Sequence, residues 1–178
     1  VMVNGATGAI GSAAVQLLKH FGADVTAVCN TKNIDLVKSL GADRVIDYTK
    51  DDFTKDDQKY DLVFDTVGKS SFFKTRHLLK QGGIYISSDL GFMSQNIFLP
   101  LITPVIKPLL GNKKTIFPFP VDIKASLKFI KQLIEQDEFK TVIDKTYPLE
   151  NIAEAFNYVA RGQKTGNVVI TISSDESV

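Results

Sequence analysis

The segment Asn4-Gly5-Ala6-Thr7-Gly8-Ala9-Ile10-Gly11 follows directly on the apolar run Val1-Met2-Val3, and apolar residues then recur at helical spacing. Glycines at such a strand-to-helix turn serve an anionic ligand. With no side chains in the way, the backbone approaches a pyrophosphate closely and the first amides of the helix point at it. Gly8 and Gly11 hold the second and third glycine places of the dinucleotide fingerprint, while the first falls on Ala6, preceded by Gly5. The strict pattern is not met, and tight helix packing alone also accounts for glycines here. The position of the turn at the head of a βαβ unit favours the phosphate cradle.

A second informative place lies about 20 residues further on, at the end of the second strand, where NAD-dependent enzymes put an acid on the ribose 2′-hydroxyl. Here the chain has Asn30-Thr31-Lys32. No carboxylate repels a 2′-phosphate, Lys32 can pair with one, and Asn30 and Thr31 can donate hydrogen bonds. The expectation is NADP(H) in preference to NAD(H). The plainer reading of the same residues is an N-cap at Thr31 and a solvated first-turn Lys32.

Other chemistry-bearing residues point nowhere in particular. His20 and His77 fall on expected helices among charged neighbours, with no second His, Cys or acid at ligand spacing, so no metal site is expected. Cys29 ends a buried strand and reads as a small core residue. Asp65, in Asp65-Thr66-Val67-Gly68, sits at the carboxyl end of a strand; it either faces a ligand crevice or bonds its own turn.

The elements that position these residues alternate. After the first strand comes a helix with Ile10, Ala13, Ala14, Leu17, Leu18 and Phe21 at helical spacing, stopped at Gly22; then a strand over 25–29; then a helix with Ile34, Val37 and Leu40 on one face, stopped at Gly41. Strands over 44–48 and 60–65, a helix over about 70–80 and a strand over 83–88 continue the rhythm. Residues 114–119 read as an edge strand, because Pro118 and Pro120 cannot donate to a central ladder. Asp122 caps a long helix with Ile123, Leu127, Ile130 and Ile134 expected inward.

This pattern predicts an α/β fold: a Rossmann-type doubly wound parallel sheet of about six strands with helices on both faces. The last forty or so residues break the rhythm. A lone strand over 141–147, a helix face of Ile152, Ala155, Phe156 and Val159, and a strand over 167–172 make a strand-helix-strand tail. The boundary is placed near Asp137, giving a cofactor-binding domain over 1–137 and a C-terminal segment over 138–178.

Composition narrows the function classes. With 178 residues, 44% of them hydrophobic, the chain can bury a core, and a net charge of +1 offers no global field to nucleic acid or to an anionic membrane. One cysteine excludes an internal disulfide and suits a reducing compartment, with the cytoplasm the default; no secretory signal is visible. Residues 92–110 are apolar but carry Pro100, Pro104, Pro108 and Lys107, which a spanning helix does not tolerate. They read instead as a packing surface, and a homodimer through residues 92–119 is expected. The opening on Val1-Met2-Val3, already strand, reads as a chain cut from something longer.

With these residues in view, the chain resembles the medium-chain dehydrogenase/reductase superfamily, in its zinc-independent quinone oxidoreductase-like branch. The resemblance rests on the glycine turn, on Leu40-Gly41-Ala42-Asp43-Arg44-Val45-Ile46-Asp47-Tyr48, on Tyr60-Asp61-Leu62-Val63-Phe64-Asp65-Thr66-Val67-Gly68, and on Tyr147-Pro148-Leu149-Glu150 with Gly166-Asn167-Val168-Val169-Ile170. It implies a two-part enzyme in which a GroES-like catalytic domain precedes the Rossmann domain and the C-terminal tail returns to it. It also implies that Thr7, Gly8, Ala9, Ile10 and Gly11 cradle the pyrophosphate, and that Asn30 and Lys32 hold the 2′-phosphate. In the same way Tyr48 would lie by the adenosine, Val67 and Ser88 would line the path to the nicotinamide, and Asn167 would approach from the tail.

The function this implies for a parent enzyme is metal-free hydride transfer from NADPH to a quinone or an electron-poor alkene or carbonyl, with a small-molecule substrate and no nucleic-acid or membrane partner. The chain by itself is expected to be inactive, since the resemblance places the other wall of the substrate cleft in the leading domain. Two alternatives stand beside this reading. An atypical short-chain dehydrogenase suits the glycine turn but needs a Tyr and a Lys four residues apart, and no tyrosine here has one. A non-catalytic NADP(H)-sensing module is supported by the lack of an acid–base pair.

Overall fold

The computed structural model describes residues 1–88, 111–118 and 121–172. Six parallel strands form one sheet in the order β3-β2-β1-β4-β5-β6. In chain order these are β1 (Met2–Asn4), β2 (Thr26–Cys29), β3 (Arg44–Asp47), β4 (Tyr60–Asp65), β5 (Leu79–Ser87) and β6 (Lys114–Ile116). Helices α1 (Ala9–His20), α2 (Ile34–Ser39) and α3 (Phe72–Thr75) follow β1, β2 and β4, and a 3₁₀ turn at Phe53–Lys55 lies between β3 and β4. The order reverses between β1 and β4, which stay paired through Asn4 and Asp65 while the connections that follow them lead to opposite sides of the sheet order, and the crevice at such a switch point is where sheets of this kind bind ligands.

β1 and β2 are buried on both faces, as their continuous apolar runs require, while on β4 and β5 one face, with Leu62, Phe64, Ile84 and Ile86, is only half-buried. One core cluster gathers Met2, Val28, Val63, Phe72, Leu78 and Tyr85; the other gathers Val3, Val15, Val25, Ala27, Cys29 and Val37. In α1 the buried face runs through Gly11, Ala14, Val15 and the half-buried Leu18, whereas Ile10 and Phe21 are exposed. The helix is turned from the expected face because Gly11 lets it lie directly on the glycine turn.

Three expectations need correction. The helix over 70–80 is only α3 followed by one 3₁₀ turn, because consecutive Leu78 and Leu79 are both buried and carry the chain straight into β5. The long helix, α4 (Ile123–Glu135), does not turn Ile123, Leu127 and Ile134 inward; Ile123 and Leu127 are more than 60% exposed, at 62% and 63%. It docks instead through its last turns, where Leu133 is buried and Phe129 packs on the rings of His20 and Phe21.

The strand expected to stand alone, β7 (Ile143–Pro148), pairs in parallel with β8 (Asn167–Thr171) across α5 (Ile152–Ala160), making a second, two-stranded sheet. On α5 only Ala155 is buried, and Ile152, Phe156 and Val159 stay exposed beside Val168 and Ile170 along an apolar groove.

The edge strand is described at Lys114–Ile116 and pairs with β5. The apolar segment 92–110, and Phe119 at the end of the expected edge strand, lie outside the described residues. Among the described residues no helix is long and apolar enough to cross a membrane.

Candidate functional site

A cleft of about 580 Å³ opens at the carboxyl ends of β1, β2 and β4, lined by residues of the glycine turn, the end of β2 and a loop of the C-terminal tail. The glycine turn forms its floor. Gly5 and Ala6 amides both donate to the Val28 carbonyl, and the Gly8 amide donates back to the Gly5 carbonyl at 3.1 Å.

Gly11 and Gly8 then have different duties. A Cβ on Gly11 would lie 2.1 Å from the Gly5 carbonyl oxygen, so only glycine lets α1 sit this close. Gly8 has φ −73° and would bring a Cβ no nearer than 3.6 Å to that oxygen, so neither backbone conformation nor packing requires a glycine there. Among the described residues nothing excludes a side chain at Gly8, which would intrude on the cleft it lines. Gly8 also N-caps α1 without any side-chain cap, and no acid occupies the first turn, so helix amides remain available to an anion.

The sequence-expected residues come together unevenly. Thr7, Gly8, Asn30, Lys32, Tyr48 and Val67 all line the cleft. Ala9, Ile10 and Gly11 form the first turn of α1 behind Gly8. Thr31 is not among the lining residues: it begins a 3₁₀ turn for which Asn30 is the N-cap, and its hydroxyl donates to the Asp47 carboxylate at 2.5 Å. Ser88 sits just past β5 with its amide on the Asp65 carbonyl, and Asn167 turns its side-chain amide back to the Val142 carbonyl; neither lines the cleft.

The cleft lining is basic: Lys32, Lys69 and Lys164 belong to it, and none of the three takes part in an ion pair among the described residues. Asn30 Oδ1 is buried with no hydrogen-bond partner among the described residues, an acceptor open to a donor from elsewhere. Asp47, at the end of β3, is turned into Thr31 and Thr49; the Thr31 hydroxyl, then the Thr49 contacts, outweigh burial and hold its carboxyl below its ordinary value. Burial pushes the Cys29 thiol up to about 11, with the Asp47 charge adding to the effect, so this cleft-lining cysteine is not a nucleophile near neutral pH.

Asp65 is fully buried and belongs to the scaffold. It accepts from the Val67 and Ser70 amides, from Asn4 Nδ2 and from the Tyr85 hydroxyl, which settles it as the turn acid.

Sequence reasoning missed the tail loop. Gly162, Gln163 and Lys164 close one side of the cleft, and the Gly166 amide donates to the Thr7 carbonyl at 2.6 Å beside a Gly8–Gly166 bridge. Further back, the Gln16 side chain makes two hydrogen bonds with the Lys140 backbone, and His20 Nδ1 meets Glu138 at 2.7 Å. The only local signal was the glycine pair Gly162 and Gly166 flanking a lysine.

A sheet of this order, with a glycine turn opening α1 at its switch point, defines a Rossmann-type domain of the dehydrogenase kind. The chain belongs to the zinc-binding dehydrogenase family within the medium-chain dehydrogenase/reductase superfamily; the family pattern matches residues 40–170. The 2-methylene-furan-3-one reductase of Solanum lycopersicum is 34% identical over 175 residues, covering 96% of this chain and 39% of that protein. The chloroplastic NADPH-dependent alkenal/one oxidoreductase of Arabidopsis thaliana has the same identity and the same coverage. The quinone oxidoreductase structure from Coxiella burnetii shares the fold, with a TM-score of 0.82 at 22% identity, covering 97% of this chain and 52% of that one. The chain thus spans about 39% of the length of these two curated relatives. Membership in this family displaces the short-chain alternative.

The residues described do not fit a zinc ion. No group of three or more His, Cys, Asp or Glu among them is arranged to hold a metal. Cys29 is a buried thiol, His20 is engaged by Glu138, and His77 Nε2 lies on the Thr54 carbonyl at 2.5 Å.

Proposed function

We propose that the chain binds NADP(H) in the cleft and serves as the cofactor-holding part of an oxidoreductase that transfers hydride to an electron-poor alkene conjugated to a carbonyl, or to a quinone, which presents the same conjugated system. The observation that carries this is Gly8, open on the protein side yet a glycine, at an uncapped helix N-terminus with Lys32 at the far end of the same cleft.

When bound, the nicotinamide supplies the hydride. What the chain contributes is position and charge. Thr7, Gly8 and the first amides of α1 (Ala9, Ile10 and Gly11) receive the pyrophosphate; Asn30 and Lys32, with Lys164 opposite, receive the phosphorylated ribose; Tyr48 flanks the adenosine and Val67 the route to the nicotinamide. Thr31 acts indirectly, by anchoring the 3₁₀ turn that carries Lys32. Ser88 and Asn167 remain assigned to the nicotinamide side through their backbone neighbourhood. No catalytic residue is assigned, and no step is routed through a metal. Two relatives named for reduction of an alkenal, an enone or a methylene-furanone support the substrate class.

The division at Asp137 is kept as part of this proposal. Of that segment, residues 138–172 clasp the glycine turn on one side and present the apolar groove of α5 and β8 on the other, a face suited to the catalytic portion of a longer protein. The homodimer through 92–119 is proposed on the sheet edge at β6. One buried cysteine suits any reducing compartment, the cytoplasm included. Titration of the chain with NADPH and NADH tests the proposal: tighter binding of NADPH supports it, and no binding of either removes it.

A further inference from the structure

Lys164 reaches the cleft from a turn bounded by two glycines, and contacts at several points fix that turn. At its far end Gly166 packs so closely that a Cβ would lie 2.3 Å from the Val142 carbonyl oxygen, while its amide is held by Thr7. Lys164 Nζ itself donates to the Gly166 carbonyl at 2.6 Å, so the ammonium follows wherever the turn goes. At the near end the Thr165 hydroxyl approaches Asn33 Nδ2 at 3.4 Å, a weak contact, and the Thr165 amide donates to Asp144 Oδ2 at 3.0 Å.

Asp144, on β7, is thus the side chain from another element that grips the turn most firmly. The same oxygen accepts the Tyr158 hydroxyl at 2.6 Å, and Tyr158 is in turn held by Lys145, whose ammonium sits 4.1 Å from the ring centroid. Burial would push the Asp144 carboxyl up; the Tyr158 hydroxyl, the Thr165 amide and the charges on Lys145 and Lys32 outweigh it and hold the group below its ordinary value. The carboxylate, Lys32 and the turn therefore share one corner of the molecule.

We propose that Asp144 is a positioning residue for cofactor discrimination: by holding the Thr165 amide it keeps the turn that carries Lys164 against the cleft that Lys32 also lines, so that both cations are available to the phosphate on the ribose. This rests on the NADP(H) reading of the cleft. A merely structural hydrogen bond would loosen both cofactors alike, whereas a positioning role falls on the phosphorylated one. Asn at the same position still offers a carbonyl oxygen to both donors.

The experiment measures dissociation constants for NADPH and NADH on the 178-residue chain and on Asp144→Ala, Asp144→Asn, Lys164→Ala and the Asp144→Ala/Lys164→Ala double variant. Asp144→Ala weakens NADPH about tenfold, the loss of roughly one charge-assisted contact. It leaves NADH within about twofold, as does Asp144→Asn for both cofactors. The double variant is no weaker than Lys164→Ala, because Asp144 acts through that lysine. Equal weakening of both cofactors, or additive losses in the double variant, overturns the proposal. If Asp144→Ala does not fold, Tyr158→Phe, which removes one hydroxyl and keeps the ring, carries the test with about a threefold loss confined to NADPH. A parent chain with no NADPH preference defeats the cofactor reading itself; a preference that survives in Asp144→Ala defeats only the role of Asp144.

Discussion

The side-chain amide of Asn4 donates to the Asp65 carboxylate over 3.0 Å, both residues buried, at the ends of β1 and β4 where the strand order reverses. This bond ties together the ends of the two neighbouring strands at the switch point where the cleft opens. Asp65 also accepts from the Val67 and Ser70 amides and the Tyr85 hydroxyl, so its removal takes a shared acceptor away, from the buried Asn4 side-chain amide and Ser70 amide above all. Each unsatisfied buried donor costs about 1 to 3 kcal/mol. Asp65→Ala is expected to destabilise the chain by at least about 3 kcal/mol in urea unfolding. A loss below about 1 kcal/mol would show that water replaces the carboxylate at little cost.

The two glycines of the turn separate scaffold from ligand. Gly8→Val should keep the melting temperature within about 3 °C, since nothing in the protein opposes the side chain, and should weaken NADPH at least about tenfold by filling the cradle. Gly11→Ala should destabilise by about 2 kcal/mol or more, because its Cβ meets backbone. Calorimetry with cofactor titration on both variants checks the contrast; a Gly8→Val chain that binds normally makes the turn a packing feature alone.

Acid stability should depend on Asp56. Bidentate hydrogen bonds from Arg44, with help from the Tyr60 hydroxyl, outweigh burial and bring its carboxyl down to about 2. The unfolded chain titrates this group near about 3.9. The folded pKa is the lower one, so its stabilisation is complete above pH 4 or so and is lost as pH falls through about 2. Thermal melts between pH 5 and 2 should fall more steeply for the parent chain than for Asp56→Asn. Parallel curves would remove Asp56 from the account.

Much of the fold was legible because the signals were local. The glycine turn, the strand and helix alternation and the βαβ order are written in spacing of a few residues. What escaped depended on contacts between distant segments. Gln16 meets Lys140 at a sequence separation of 124, and Asn33 meets Thr165 at 132, so no periodicity could report that the tail closes the cleft with Lys164. The inward face of α4 was misread for a related reason: Ile123, Leu127, Ile130 and Ile134 form a regular apolar stripe, yet the helix docks through Phe129 and Leu133. Periodicity finds a stripe but not the surface that covers it. Thr31 has the right type and place for a phosphate ligand, and its hydroxyl is instead taken by Asp47.

On the proposed reading the chain by itself should not turn over substrate, because no proton donor is assigned in it and the described residues supply no second wall to orient substrate and exclude water. NADPH oxidation with small quinones and enones should stay well below about 1 per second, and sedimentation should show a dimer. Steady turnover at or above that rate contradicts the first expectation, and a clean monomer contradicts the second.

The central claim is cofactor identity, and one comparison tests it most directly: calorimetric titration of the chain and of Lys32→Ala with NADPH and with NADH. Loss of a charge-assisted phosphate contact costs about 1.5 to 3 kcal/mol. The parent chain should therefore bind NADPH about tenfold or more tighter than NADH, and Lys32→Ala should erase most of that difference by weakening NADPH alone. Equal affinities in the parent chain, or a Lys32→Ala variant that keeps the full preference, would contradict the account.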